Sequence, residues 1–141
     1  MSAIKISNLQ YVWPESNTPI IDIPALEVEL RGSVFLQGAS GSGKSTLLSL
    51  LAGTLKASSG TLQILGTDLT SLSSRRRDRF RAEHIGIVFQ QFNLIPFLTV
   101  EGNLKLASRF VNQSVSGTEV RAKKLLESLR LDSAILERRA D

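Results

Sequence analysis

An α/β fold is what this sequence predicts, and three features carry that expectation. Gly38-Ala39-Ser40-Gly41-Ser42-Gly43-Lys44-Ser45 spells G-x-x-x-x-G-K-[ST] directly after the apolar run Val34-Phe35-Leu36. Leucines at 47, 48, 50 and 51 follow at once, so the glycine-rich segment joins a strand to a helix. A second apolar run, Ile85-Gly86-Ile87-Val88-Phe89, has strand length without alternation, the pattern of a strand covered on both faces.

The spacing of the first feature is chemical. Glycines let successive backbone N–H groups turn inward around phosphate oxygens, where a side chain would block the approach. Gly38, Ser40, Gly41, Ser42 and Gly43 form that cradle. Lys44 brings a point charge to the β- and γ-phosphates, Ser45 offers its hydroxyl to Mg²⁺, and Thr46 follows at the α-phosphate. The N-terminus of the ensuing helix adds a favourable dipole.

Taken in order, the first thirty residues read as two strands. Ile4, Ile6 and Leu9 mark one, and Leu26, Val28 and Leu30 alternate with Glu27, Glu29 and Arg31 in the other. Pro14 to Pro19 is a loop by composition, and Ser33 to Gln37 is expected as a buried strand. The run Thr46 to Ala52 is apolar on nearly every side, which predicts a helix buried on the sheet and stopped by Gly53. Ser58-Ser59-Gly60 turns, Thr61 to Leu65 alternates as a short strand, and Gly66-Thr67-Asp68 turns again. A charged helix spans about Ser74 to Glu83 and precedes the strand Ile85 to Phe89. Beyond a loop with Asn93 and Pro96, Thr99 caps a helix to about Asn112. Ser116 with Glu119 suggests a capping box for the next, whose Ala122, Leu125, Leu126 and Leu129 fall on one face. Asp132 caps a last short helix, Ser133 to Arg139.

Composition narrows the function classes. At 141 residues, 42% hydrophobic and 21% charged, the chain has the balance of one globular domain. The net charge of +4 suits an anionic ligand. Arg75, Arg76, Arg77, Arg79 and Arg81 are the densest basic run, but no aromatics are interleaved there, so a solvated helix face is expected and no nucleic-acid partner. Without cysteine there are no disulfides and no thiolate chemistry. The N-terminus lacks the pattern of a signal peptide, which predicts a cytoplasmic location.

With these residues placed, the chain resembles the ATP-binding subunit of ABC transporters, in the branch serving lipoprotein-release, macrolide-export and cell-division-type permeases. GASGSGKSTLL, SSGTLQILGTDL and HIGIVFQQFNLIPFLTV carry the resemblance, which covers nearly the whole chain. It implies a P-loop NTPase of ABC type in three parts: a β subdomain (1–32), a P-loop core with a β insertion (33–90) and the start of a helical subdomain (91–141). It also implies ATP and Mg²⁺ as ligands. Gln90 would be the Q-loop glutamine reaching Mg²⁺ and the γ-phosphate side, while its loop contacts an integral membrane permease. The family's adenine-stacking aromatic is best matched by Trp13, followed by Pro14, with Tyr11 as second choice two residues away on the same strand face. A stacking platform predicts modest discrimination between ATP and GTP. A full-length parent would pair with a second ATP-binding subunit, peripheral on the inner face of the membrane.

The chain departs from that pattern as well. It contains no LSGGQ-like signature, no second apolar strand ending in Asp-Glu and no switch histidine; His84 precedes the Q-loop strand. Binding of ATP without hydrolysis is therefore expected, and no catalytic residue is identifiable. A non-catalytic nucleotide-binding module is one alternative. Another P-loop class, a kinase or GTPase, is disfavoured by the β structure preceding the loop and by the lack of a guanine-reading Asn-Lys-x-Asp. Gly102 stands where the family usually carries glutamate, before the asparagine matched by Asn103.

Overall fold

A computed structural model describes residues 2–91, 93–109 and 115–139. The chain forms two compact units, residues 1–85 and 86–141.

The first unit is a small antiparallel sheet with helices on its apolar face. Strands β1 (Ser2–Tyr11), β2 (Ile21–Glu29), β3 (Ser59–Ile64) and β4 (Thr67–Asp68) line up in the order β2-β1-β3-β4. Strand β1 is central because its inward residues are its apolar ones: Ile6, Leu9 and Tyr11 are buried, and Ile6 lies opposite Leu26 of β2 and Leu62 of β3. Gly60 permits the tightest approach between strands. A Cβ there would lie 2.1 Å from the Asn8 carbonyl oxygen, and its φ of 80° is one that only glycine adopts without strain.

Helix α1 (Lys44–Leu51) drives Leu47 and Leu50 into the cluster made by Ile6, Leu9, Tyr11, Ile21, Leu62, Ile64 and Leu69. It ends at Gly53, whose φ is 71°. The all-round burial expected of this helix is not observed, since Leu48 is 58% exposed. One face alone meets the sheet. Helix α2 (Ser74–His84) leans Phe80 on the same cluster, while the Arg77 Nε–H donates to the Gly53 carbonyl at 3.0 Å. His84 is its last residue, with its ring 4.6 Å from that of Phe80.

The two runs expected to be buried strands, Ser33–Gln37 and Ile85–Phe89, are not paired strands here. Phe35 is 88% exposed and Val88 99%, and Val34, Ile87 and Phe89 are exposed too. The physical reason is the lack of neighbours. A parallel strand needs a hydrogen-bonding edge and helices over both faces, and among the described residues nothing supplies either. Leu30 also falls outside β2 and is exposed, because the chain turns at Arg31 with φ 64°.

In the second unit, α3 (Val100–Arg109) begins where Thr99 caps it, its Oγ1 accepting from the Gly102 N–H at 3.0 Å. The expected helix end at Asn112 lies outside the described residues. Helix α4 (Val115–Ser128) starts one residue before the expected cap Ser116, whose side chain is likewise outside the description. Glu119 accepts a 2.7 Å hydrogen bond from Lys123, which holds its carboxyl below the usual range, with the lysine charge adding to the effect. Of the apolar stripe on α4, Ala122 is buried and Leu126 half-buried, whereas Leu125 and Leu129 are exposed. The stripe is wider than the α3 surface that covers it. Asp132 caps the closing 3-10 turn (Ser133–Glu137), accepting from the Ala134 N–H at 2.9 Å.

Candidate functional site

The glycine-rich segment runs from the unpaired stretch 33–37 into α1, and its geometry follows from three glycines. Gly41 and Gly43 sit at φ 79° and 87°. Gly43 is the N-cap of α1, its carbonyl accepting from the Leu47 N–H at 2.8 Å, and a Cβ on it would come within 2.9 Å of both the Ile20 carbonyl oxygen and Ile21 Cδ1. A Cβ on Gly38 would lie 2.7 Å from the Ser42 Oγ. Backbone must pass where any larger residue would collide.

Lys44 closes the loop. Its ammonium donates to the carbonyls of Gly38 at 2.7 Å and Ala39 at 2.6 Å, and stands 3.4 Å from the Ser42 Oγ. The cation is thereby gathered over the loop instead of extending into solvent. Ser45 is exposed and Thr46 half-buried in the first turn of α1. That turn has no side-chain cap and no acidic residue, so the helix dipole and the free first-turn N–H groups are left uncompensated by the chain itself. Glycine cradle, converging lysine and uncapped helix start together suit a phosphate chain. Among the described residues no group of three or more His, Cys, Asp or Glu is placed to hold a metal. A hydroxyl such as that of Ser45 fits Mg²⁺ arriving with phosphate oxygens as its other ligands.

Trp13 lies just past β1, 45% exposed, while Tyr11 is buried in the sheet core. Their rings meet edge to face, 5.0 Å apart at 86°. Trp13 has an open surface, and Tyr11 serves as its backing. Gln90 belongs to the second unit and is exposed in a bend. The loop beyond it is held by Asn103, whose Oδ1 accepts from the Ile95 N–H at 2.8 Å and whose Nδ2 donates to the Ile95 carbonyl at 3.1 Å.

No local sequence signal marks Ile20 and Ile21 as the floor beneath Gly43. They lie more than twenty residues upstream, and only the pairing of β2 with β1 brings them under the loop.

Fold and loop define an α/β protein of the phosphate-loop class. The profile of the family described as "ABC transporter" matches residues 23–140, and the chain belongs to that family. An uncharacterized ABC transporter ATP-binding protein of Mycobacterium tuberculosis is 41% identical over 128 residues, 89% of this chain and 52% of its own length. The macrolide export ATP-binding/permease protein MacB of Shigella flexneri is 39% identical over 131 residues, 92% of this chain and 20% of its own. A dimeric post-hydrolysis structure of the ATP-binding cassette MJ0796, bound to ADP and Pi, superposes with a TM-score of 0.80 at 27% identity, over 97% of this chain and 61% of that one. The chain thus spans about half the length of the first of these relatives.

Proposed function

We propose that this chain is the nucleotide-binding part of a transport ATPase, holding Mg-ATP through residues 38–46. The observation that carries this reading is the position of the Lys44 ammonium, gathered over the glycine cradle at the uncapped start of α1. On this reading the backbone N–H groups from Gly38 to Gly43 enclose the phosphates, with Ser40 and Ser42 lining the cradle. Lys44 exchanges its carbonyl acceptors for β- and γ-phosphate oxygens, and Thr46 donates toward the α-phosphate. Ser45 would hold Mg²⁺ through its hydroxyl, and the ion would supply charge neutralisation at the phosphates. Trp13 offers its exposed face to adenine while Tyr11 fixes the ring's tilt. Gln90 is assigned to Mg²⁺ and the γ-phosphate side by its match to the family's Q-loop. The division into 1–32, 33–90 and 91–141 is part of the same proposal.

Work on a permease partner is supported by the relative whose name joins an ATP-binding part to a permease. Pairing with a second ATP-binding subunit is supported by the dimeric cassette that this chain resembles. A location on the inner face of the membrane goes with such partners; no helix among the described residues is long and apolar enough to cross one. Binding without turnover is the reading for the chain itself, because its sequence contains neither the second acidic strand nor the signature.

Isothermal titration with Mg-ATP tests the proposal, run in parallel with the fluorescence of Trp13, the single tryptophan. A saturable heat and a matching change in emission are expected, with GTP within about tenfold, since stacking does not read base edges closely. No saturable heat with millimolar nucleotide would overturn it.

A further inference from the structure

Trp13 leaves the sheet where the ladder has run out, yet its backbone is held on both sides. The last rung between β1 and β3 pairs Gln10 with Ser59. Just before it the Ser58 N–H donates to the Gln10 carbonyl at 2.9 Å, while the Ser58 Oγ accepts from the Val12 N–H at 3.0 Å. The hydroxyl thereby takes the place of the carbonyl that one more rung would supply. At the other edge of β1 the Tyr11 carbonyl accepts from the Ile20 N–H at 2.9 Å, and beyond the ring the Trp13 carbonyl accepts from the Ser16 N–H at 2.9 Å. Among the described residues no other side chain hydrogen-bonds the backbone of residues 11–14.

We infer that Ser58 is a positioning residue for the nucleotide base, presetting the Trp13 ring through its bond to the Val12 N–H. The inference rests on the proposed role of Trp13 and goes beyond it by adding the residue that holds the ring ready. Ser58 is itself fixed, because the close pass of Gly60 over Asn8 locks the register of β3 on β1. Its side chain is exposed and lies outside the cluster of Ile6, Leu9 and Leu62. Removing the hydroxyl therefore leaves the core intact. Water can take over the Val12 N–H, but it cannot tie that N–H to β3. The segment also reaches the phosphate loop, since Ile20 forms the floor beneath Gly43. Ser58 on one edge and Ile20 on the other thus set the reach from the Trp13 ring to the glycine cradle. A ring already in place needs no ordering when a base arrives.

The test compares Ser58→Ala, Ser58→Thr and Trp13→Ala with the parent chain in titrations with Mg-ATP and with magnesium tripolyphosphate, which offers the phosphates without the base. Ser58→Ala should weaken Mg-ATP by about two- to tenfold, the scale of one net hydrogen bond, and leave tripolyphosphate unchanged. Ser58→Thr keeps the hydroxyl and should bind Mg-ATP as the parent does. In the free chain, acrylamide quenching of Trp13 should rise in Ser58→Ala alone, with thermal unfolding unaltered. A merely structural role would weaken both ligands together and would not be rescued by threonine. Ser58→Ala that binds Mg-ATP like the parent, or that loses both ligands equally, overturns the inference. Trp13→Ala separates the two failures. If it weakens Mg-ATP and spares tripolyphosphate, the platform reading stands whatever Ser58 does; if it leaves Mg-ATP binding unchanged, the platform reading falls and this inference with it.

Discussion

Replacing Lys44 by alanine tests the nucleotide reading most directly. In the free chain the ammonium is satisfied by two loop carbonyls, at 2.7 and 2.6 Å. Two phosphate charges about 4 Å away, at the effective dielectric of about 20 found near protein surfaces, attract it by about 4 kcal/mol each. Giving up the two carbonyl bonds returns about 1.5–3 kcal/mol apiece. The difference leaves a net contribution of about 2–5 kcal/mol, a loss of affinity between about thirtyfold and a few thousandfold in Lys44→Ala. Calorimetric titration with a non-hydrolysable ATP analogue reads it. Leu47 and Leu50 still anchor α1 in the core, so the thermal unfolding curve should be unchanged. A variant that keeps its fold and binds within about threefold of the parent would refute the reasoning.

Gly43→Val should abolish nucleotide binding and delay the start of α1, since its Cβ would meet Ile20 and Ile21 at 2.9 Å with φ at 87°; an unaltered affinity by titration would contradict this. Trp13→Ala should weaken ATP by about 1–3 kcal/mol on the scale of base stacking, whereas Tyr11→Phe, buried behind it, should leave affinity unchanged; equal effects would assign the platform wrongly. Leu50→Ala, at a fully buried position, should destabilise the first unit by about 2–5 kcal/mol in urea unfolding, with exchange in α4 unaffected. Glu119 has a lowered carboxyl pKa, so its pair with Lys123 contributes fully above the ordinary carboxylate range and is lost as pH falls through the lowered value. The helicity difference between the parent and Glu119→Gln should accordingly vanish in acid and shrink with salt, as circular dichroism would record.

What the sequence disclosed were features whose causes lie within a few residues. In the glycine-rich loop Gly41 takes a positive φ and Lys44 folds back on the Gly38 and Ala39 carbonyls, contacts made within the segment itself. The caps at Thr99 and Asp132 are equally local, each a side-chain oxygen accepting from a nearby N–H. Strand β2 shows its inward Leu26 and Val28 through alternation, whereas β1 breaks the period between Ile6 and Leu9, where Asn8 takes a φ of 47°. Burial was legible only where a covering element lies among the described residues. Leu48, Leu125 and Leu129 are apolar, yet apolarity states a demand for a partner without guaranteeing one. Phe35 and Val88 are the extreme cases, interior residues by composition and solvent-facing in the fold. The Ile20-Ile21 floor escaped for the opposite reason, as a contact made by register over a long stretch of sequence.

These two classes of residue meet at the phosphate loop, which is anchored unequally at its ends. Behind it, α1 is fixed by Leu47 and Leu50, and Gly43 rests on Ile20 and Ile21. Ahead of it, segment 33–37 has no sheet partner among the described residues, and Gly38 and Ala39 are tied chiefly through their own lysine. A phosphate that draws Lys44 away removes that tie, so binding must order the front of the loop at a cost of about 1–2 kcal/mol per residue. Amide exchange across residues 33–39, with and without Mg-ATP, reads that ordering, and slowing by at least tenfold on binding is expected. Unchanged exchange at saturating nucleotide would mean that the front of the loop is already held in the free chain.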